Sequence, residues 1–275
     1  MDPQSWSSVS GGDINQAGRL ADIDGQNWFI KLNHPDRVDM FAAECAGLGE
    51  LAVADDICIP QVAGYGSSDQ FAWLVLEWLD LTAASSQADQ QLGRALARMH
   101  RVTTEAFGWR RDNYIGTTTQ PNGWYESWPE FFREQRLGHQ LALAQEKGAP
   151  ASLAASGHQL MAQLDNWFTD YSPAPSLLHG DLWGGNRGTL ADGSPALFDP
   201  AVYFGDRETD LAMTRLFGGF GAEFYAAYVK EWPLDEGATQ RQGLYNLYHV
   251  LNHFNLFGGS YLMQAEQIIQ QLLTR

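Results

Sequence analysis

The chain has 275 residues with 33 acidic and 17 basic side chains, a formal net charge of −16 at pH 7. It is 44% hydrophobic and 18% charged, which excludes a disordered chain and leaves room for one large domain or two lobes. So acidic a protein cannot neutralise a run of phosphates, which argues against nucleic acid, and an anionic membrane repels it.

Taken in order, the first part reads as strands around turns. Ser10-Gly11-Gly12-Asp13 is a Gly-rich turn. Residues 18–23 alternate in polarity, Asp24-Gly25 is a hairpin dipeptide, and residues 26–32 (QNWFIKL) form a second, aromatic-rich strand. Residues 39–51 carry apolar side chains at helical spacing behind an acidic residue. Residues 71–79 (FAWLVLEWL) form a strand too apolar for an exposed edge.

From residue 87 helices dominate, over 87–100, 128–145, 157–167 and 244–273. Between the last two, residues 177–198 form short strands joined by Ala191-Asp192-Gly193-Ser194. The expected fold is α+β and bilobal: a small β-rich lobe over 1–79, a larger helical lobe over 80–275, and a ligand cleft between them. Cys45 and Cys58 lie in no CxxC or metal spacing. The polar N-terminus has no signal-peptide character and no apolar run reaches about 18 residues, so a cytoplasmic location is expected. Only three lysines occur, Lys31, Lys147 and Lys230, so each calls for a reason.

The chemistry concentrates in Leu178-His179-Gly180-Asp181-Leu182-Trp183-Gly184-Gly185-Asn186, followed by Phe198-Asp199-Pro200. An Asp, an Asn five residues on, and an Asp beyond a hairpin are the apparatus of kinase-like phosphotransferases. Phosphoryl transfer needs one carboxylate beside the substrate hydroxyl and hard oxygens to hold magnesium against the ATP phosphates. Asp181 suits the first role, Asn186 and Asp199 the second. Lys31, in an apolar-flanked strand after a Gly-rich turn, suits the α/β-phosphates, with Glu44 of the next helix as its partner. Gly11 and Gly12 would let backbone N–H groups approach phosphate oxygens. Glu77 to Leu79, where the chain leaves the small lobe, would offer backbone groups to the adenine edge.

The chain resembles the fructosamine kinase family, the ketosamine-3-kinases, relatives of the aminoglycoside phosphotransferases with a protein-kinase-like fold. The resemblance runs nearly end to end. It rests on Gly11 to Asn15, Phe29-Ile30-Lys31, Phe41 to Glu44, Leu96 to His100, Asn113 to Gly116 and Gln120-Pro121-Asn122. It continues through His179 to Asn186, and Phe198 to Phe220 (FDPAVYFGDRETDLAMTRLFGGF) is its most particular stretch, before Leu251-Asn252-His253 and Phe257-Gly258.

The resemblance implies ATP- and Mg2+-dependent phosphorylation of the O3 hydroxyl of a ketosamine, on a protein or a free amino acid. The 3-phosphate then destabilises the adduct and regenerates the amine. Asp210 resembles the buried Asp that braces a catalytic loop, and His179 is expected to brace it too. Trp183 is expected to line the sugar site. Asp206 and Glu208 either hold the substrate amine or cap a helix, the polar loop residues Gln120 and Asn122 are candidates for substrate contact, and His253 is either a core residue or a substrate contact. A kinase for another hydroxylated amine, such as an aminoglycoside or choline, is the alternative, and a silent pseudokinase is a further one. The sequence leaves the oligomeric state open, a monomer among the options.

Overall fold

The computed structural model describes residues 5–9 and 14–274. Gly11 and Gly12 fall outside the described residues.

Five antiparallel strands make the N-terminal sheet: β1 (Ser7–Ser8), β2 (Gln16–Ala21), β3 (Asn27–Asn33), β4 (Val62–Ser67) and β5 (Ala72–Glu77), in the order β1-β2-β3-β5-β4. The β2–β3 turn is closed by Asp22, whose Oδ1 accepts from the Asp24 and Gln26 N–H groups, and Gly25 takes the left-handed conformation there (φ +84°). β3 is central, so Lys31 lies opposite Ala17 on one side and Leu74 on the other. Helix α1 (Val38–Leu51) covers one face, packing Phe41 and Leu48 on Ala72, Leu74 and Leu76.

The remainder is mainly helical, as the sequence predicts. Helix α2 (Ser86–Met99) starts at Ser85, whose hydroxyl accepts from the Ala88 N–H. A hairpin follows, β6 (Asn113–Ile115) and β7 (Thr118–Gln120). The predicted helix at 128–145 is α3 (Trp128–Phe131) running through a π-helical stretch at 132–138 into α4 (His139–Glu146). Helix α5 (Ala151–Ala162) begins six residues before its predicted start. Then come β8 (Ser176–Leu178), the hairpin β9 (Arg187–Thr189) and β10 (Pro195–Leu197), and β11 (Tyr203–Gly205), which pairs with β8. Helices α6 (Glu208–Leu216), α7 (Ala222–Glu231), α8 (Ala238–Phe257) and α9 (Tyr261–Leu273) complete the chain. The single helix predicted over 244–273 is two, because Gly258 and Gly259 both take positive φ (66° and 64°) and end α8.

One large core joins Leu92, Leu96, Phe131, Tyr203, Tyr245 and Leu251, and it reaches back past residue 79 to take in Leu51, Ala54 and Ile57. Lys147 is not an ordinary surface lysine: its Nζ donates to the Asn255 carbonyl, tying the end of α4 to α8. No helix among the described residues is long and apolar enough to cross a membrane.

Candidate active site

Lys31, Asp181, Asn186 and Asp199 line one cleft of about 610 Å3. They arrive there from a central strand, a loop and the two ends of a hairpin. The β9–β10 hairpin returns the chain so that Phe198 N–H donates to the Asn186 carbonyl (3.2 Å). Asp199 thus sits beside Asn186 despite thirteen intervening steps of sequence. It is the sole non-glycine residue with positive φ among those described (58°), a conformation Asp tolerates better than most.

Lys31 Nζ lies 2.7 Å from Glu44 Oε1 and 2.5 Å from Asp199 Oδ1. With 4% of its surface exposed, it could not stay charged unaided. Burial pushes its pKa down, but the Asp199 and Glu44 carboxylates outweigh that and hold the ammonium above its ordinary value. For Glu44 burial pushes the carboxyl up, Lys31 opposes this, and the net direction is upward. The two shifts favour opposite charge states. One cation between two carboxylates reconciles them: Lys31 keeps its charge, and Glu44 bears the cost of sharing it.

Asn186 Nδ2 donates to the Asp181 carbonyl (2.8 Å), to Asp181 Oδ2 (3.2 Å) and to the Asp199 carbonyl (3.4 Å). Its Oδ1 is thereby left as the oxygen available to a ligand. Burial, then the Asp199 charge, push the Asp181 pKa up to about 7, against the Asn186 hydrogen bond. A carboxylate with a pKa near neutrality is well matched to accepting a hydroxyl proton.

The catalytic loop is braced from behind. Asp210 of α6 accepts from the His179 N–H (2.7 Å) and the Gly180 N–H (2.9 Å), and His100 Nε2 donates to it at 3.1 Å. Burial would raise the Asp210 pKa, but its bond from His100 and the bonded backbone amides hold it low. His179 Nδ1 accepts from the Asp181 N–H (3.3 Å), so Nε2 carries the proton and donates to the Phe198 carbonyl (3.0 Å). Burial keeps this ring neutral by lowering its pKa. One imidazole therefore ties the two halves of the site together.

The far end of the cleft is aromatic. Trp183, Tyr114, Phe217, His253, Phe257 and Tyr261 line it. The His253 ring lies 4.5 Å from Phe217, 5.1 Å from Tyr261 and 5.7 Å from Phe257. Its Nδ1 donates to the His249 carbonyl (2.8 Å), which leaves Nε2 as an acceptor. Sequence reasoning missed Tyr114, Phe217 and Tyr261, since an aromatic residue gives no sign of whether it faces a core or a cleft. The helical step from His253 to Phe257 was the one usable signal.

Four candidates for substrate contact are elsewhere. Asp206 is fully buried (0% exposed), accepting from Tyr171 OH (3.0 Å) and Tyr245 OH (2.5 Å). Glu208 is paired with Arg241 through two 2.8 Å bonds. Gln120, the last residue of β7, and Asn122 just after it are buried and bonded to Asn113. None of the four lines the cleft, because each side chain is consumed by an internal partner. Glu77 Oε2 accepts from the Gln61 N–H (3.1 Å), and Leu79 is half-buried where the chain leaves β5. Neither is part of the cleft lining.

The fructosamine kinase family profile matches residues 1–275, the whole chain. The chain belongs to the fructosamine kinase family. A probable ketoamine kinase of Synechocystis sp. is 46% identical over 275 residues, covering 98% of this chain and 90% of the relative. A chloroplastic protein-ribulosamine 3-kinase of Arabidopsis thaliana is 38% identical over 270 residues, covering 97% and 82%. Among solved structures, one from Haemophilus somnus described as a fructosamine-3-kinase superposes with a TM-score of 0.88 at 32% identity, covering 98% of this chain and 90% of that one.

The donor set suits a hard divalent cation. The site offers two neighbouring oxygen donors, Asn186 Oδ1 and the Asp199 carboxylate. No group of three or more His, Cys, Asp or Glu side chains among the described residues is arranged for a metal. Few protein ligands, with phosphates and water completing the shell, is how magnesium is held at nucleotide sites. Family and fold together make this an ATP-using kinase.

Proposed function

We propose that the protein transfers the γ-phosphoryl group of ATP to the O3 hydroxyl of a ketosamine, and so promotes loss of the sugar from the amine. The observation that carries this reading is the convergence of Lys31, Asp181, Asn186 and Asp199 on one cleft, in a chain 38% identical to a protein-ribulosamine 3-kinase.

Asp181 accepts the O3 proton, and its raised pKa of about 7 matches it to that task. Lys31, held by Glu44, contacts the α/β-phosphates. Asn186 Oδ1 and Asp199 would hold magnesium, which would supply positive charge against the phosphates. Gly11 and Gly12 supply backbone amides to the phosphates, and the chain at Glu77 to Leu79 takes the adenine edge. The aromatic end of the cleft receives the sugar and the adjoining secondary ammonium. Trp183, 41% exposed, stacks on the sugar, and the ring faces attract the cation. His253 Nε2 accepts from a sugar hydroxyl or the ammonium.

The test is turnover of ribulosyl-, erythrulosyl- and fructosyl-lysine with Mg-ATP, scored by sugar phosphate formed, with aminoglycosides and choline as controls. Phosphorylation of at least one ketosamine, well above the controls, is expected. If none is phosphorylated, the proposal fails.

A further inference from the structure

Arg136 is a fully buried arginine with no carboxylate partner among the ion pairs of the described residues. Its guanidinium sits over the rings of Tyr203 (4.0 Å) and Phe131 (4.6 Å). Its Nη1 donates to the Pro121 carbonyl (2.6 Å) and its Nη2 to Asn122 Oδ1 (2.6 Å). A buried cation paired only with neutral acceptors is costly, so it needs a function that a neutral side chain would not supply.

That function is visible in the direction of the hydrogen bonds. Guanidinium can only donate, and a backbone carbonyl can only accept. Between these two fixed ends lie three amides, whose orientations both ends dictate in the same sense. Because Asn122 must present Oδ1 to Arg136, its Nδ2 donates to Asn113 Oδ1 (2.7 Å). Asn113 must then use Nδ2, which donates to the Val202 carbonyl (2.8 Å). Gln120 Nε2 donates to Asn113 Oδ1 (2.8 Å) and to the Ala201 carbonyl (3.0 Å), while its Oε1 accepts from Tyr248 OH (2.6 Å). Asn122 is held from both sides, by Arg136 and by the Arg111 carbonyl that its Nδ2 also meets (3.2 Å), and the chain of bonds ends on consecutive carbonyls just beyond Asp199-Pro200. From the other side, Ala201 N–H donates to the His179 carbonyl (2.9 Å). Residues 199–202 are thus gripped between the catalytic loop and the network, with Asp199 itself held at positive φ.

We infer that Arg136 is a positioning residue for the Asp199 segment, acting through Asn122, Asn113 and Gln120. It touches neither nucleotide nor sugar. By anchoring Pro121 and Asn122 it holds the network that grips residues 201 and 202, and so fixes where the Asp199 carboxylate stands relative to Asn186 and how well the two hold the metal. The inference rests on the reading of Asp199 as a magnesium ligand, and not on the identity of the sugar.

The variants are Arg136→Met, which keeps length and apolar body but cannot donate, Arg136→Lys, and Gln120→Leu. Calorimetric titration of ATP at a series of Mg2+ concentrations, with no sugar present, is the first readout. For Arg136→Met the Mg2+ concentration giving half-maximal ATP binding should rise at least about five-fold, with ATP affinity in EDTA unchanged within two-fold. Turnover of a ketosamine should fall at least about ten-fold with its KM within two-fold. Gln120→Leu should move both quantities in the same direction, and Arg136→Lys should recover part of the loss. If Arg136→Met does not fold, Gln120→Leu decides by the same criteria. The inference is overturned if a folded variant melts earlier yet keeps its Mg2+ midpoint and turnover within two-fold of the parent, since that is what a purely structural network would do. If the parent turns over no ketosamine, the substrate reading fails while the calorimetric arm still decides this one.

Discussion

Replacing Gly180 by alanine tests how tightly the catalytic loop is held. Gly180 has φ +81°, and a Cβ built there would lie 2.0 Å from the Ala201 oxygen and 2.7 Å from its carbonyl carbon. Real Cβ contacts stay beyond 3.0 Å, so the two strands of backbone must part by about 1 Å. Ala201 cannot retreat cheaply, because its N–H donates to the His179 carbonyl and its own carbonyl accepts from Gln120. The left-handed conformation adds about 1–2 kcal/mol for an L-residue. A total loss of about 3 kcal/mol follows, which for a chain of this size lowers Tm by roughly 6–12 °C. The displaced atoms flank Asp181, and a 1 Å misplacement of a reacting group costs about 10²-fold in turnover. Gly193→Ala is the control. Its φ is +88°, but its nearest neighbour is a Gln91 side-chain oxygen at 3.6 Å, so it carries the conformational penalty without the collision. It should lose about 1 kcal/mol and leave turnover unchanged. Thermal unfolding and steady-state turnover of both variants decide the matter. Gly180→Ala matching Gly193→Ala in Tm and activity would refute the argument.

Three further outcomes are expected. In kcat/KM for ATP, which reports the nucleotide-free enzyme, activity should rise with pH through about 7 as Asp181 loses its proton; a profile flat from pH 5.5 to 8.5 would remove Asp181 as the base. Lys31→Met should leave Glu44 and Asp199 facing each other without a cation, weakening ATP binding by calorimetry at least about ten-fold and turnover by about 10² or more; unchanged ATP affinity would deny Lys31 its phosphate role. Burial, then the neighbouring Glu208, raise the Asp206 pKa to about 7, so its proton stabilises the fold below about pH 4, and that contribution is lost as pH rises towards 7 and beyond. Asp206→Asn should remove a loss of stability between about pH 4 and 7 on the order of a few kcal/mol, seen as a flatter Tm across that range, and an unaltered slope would assign the pH dependence to another group.

What could be read from sequence was whatever short-range spacing encodes. Asp181 and Asn186 lie on one loop, and Asp192-Gly193 announces the hairpin that returns Asp199 to them. Lys31 stood out because lysine is scarce and this one interrupts an apolar strand. The failures have a common cause. Asp206 does cap the start of α6, accepting from the Glu208 N–H (3.0 Å), but the substrate readings of Asp206, Glu208, Gln120 and Asn122 fail because the side chains that satisfy them are far off in sequence. Tyr245 is 39 residues from Asp206, Arg241 is 33 from Glu208, and Arg136 is 14 from Asn122. Burial of a polar residue depends on such partners, and no local pattern reports them. Strand β4 was hidden for a different reason. Its residues VAGYGS carry two glycines and are half-exposed or exposed, so it lacks the alternation that marks a strand with a buried face.

The choice of asparagine at position 186 follows from the charge of the cleft. Among the described residues lining it, the carboxylates are Glu44, Asp181 and Asp199 and the cation is Lys31, a formal balance of −2 (1 minus 3). An incoming nucleotide is itself strongly anionic, and at an effective dielectric of about 20 two like charges about 4 Å apart cost about 4 kcal/mol. A divalent cation brings the −2 to zero, which ties nucleotide affinity to metal. A carboxylate at 186 would add an oxygen donor but deepen the negative charge, and it would push the Asp181 pKa still higher. It would also lose the amide N–H that donates to the Asp181 carbonyl, Asp181 Oδ2 and the Asp199 carbonyl. The amide therefore does what neither an acid nor a hydrocarbon could. In the proposed reaction it would give the metal a neutral oxygen, while its N–H holds Asp181 in place and moderates the rise in that carboxyl's pKa.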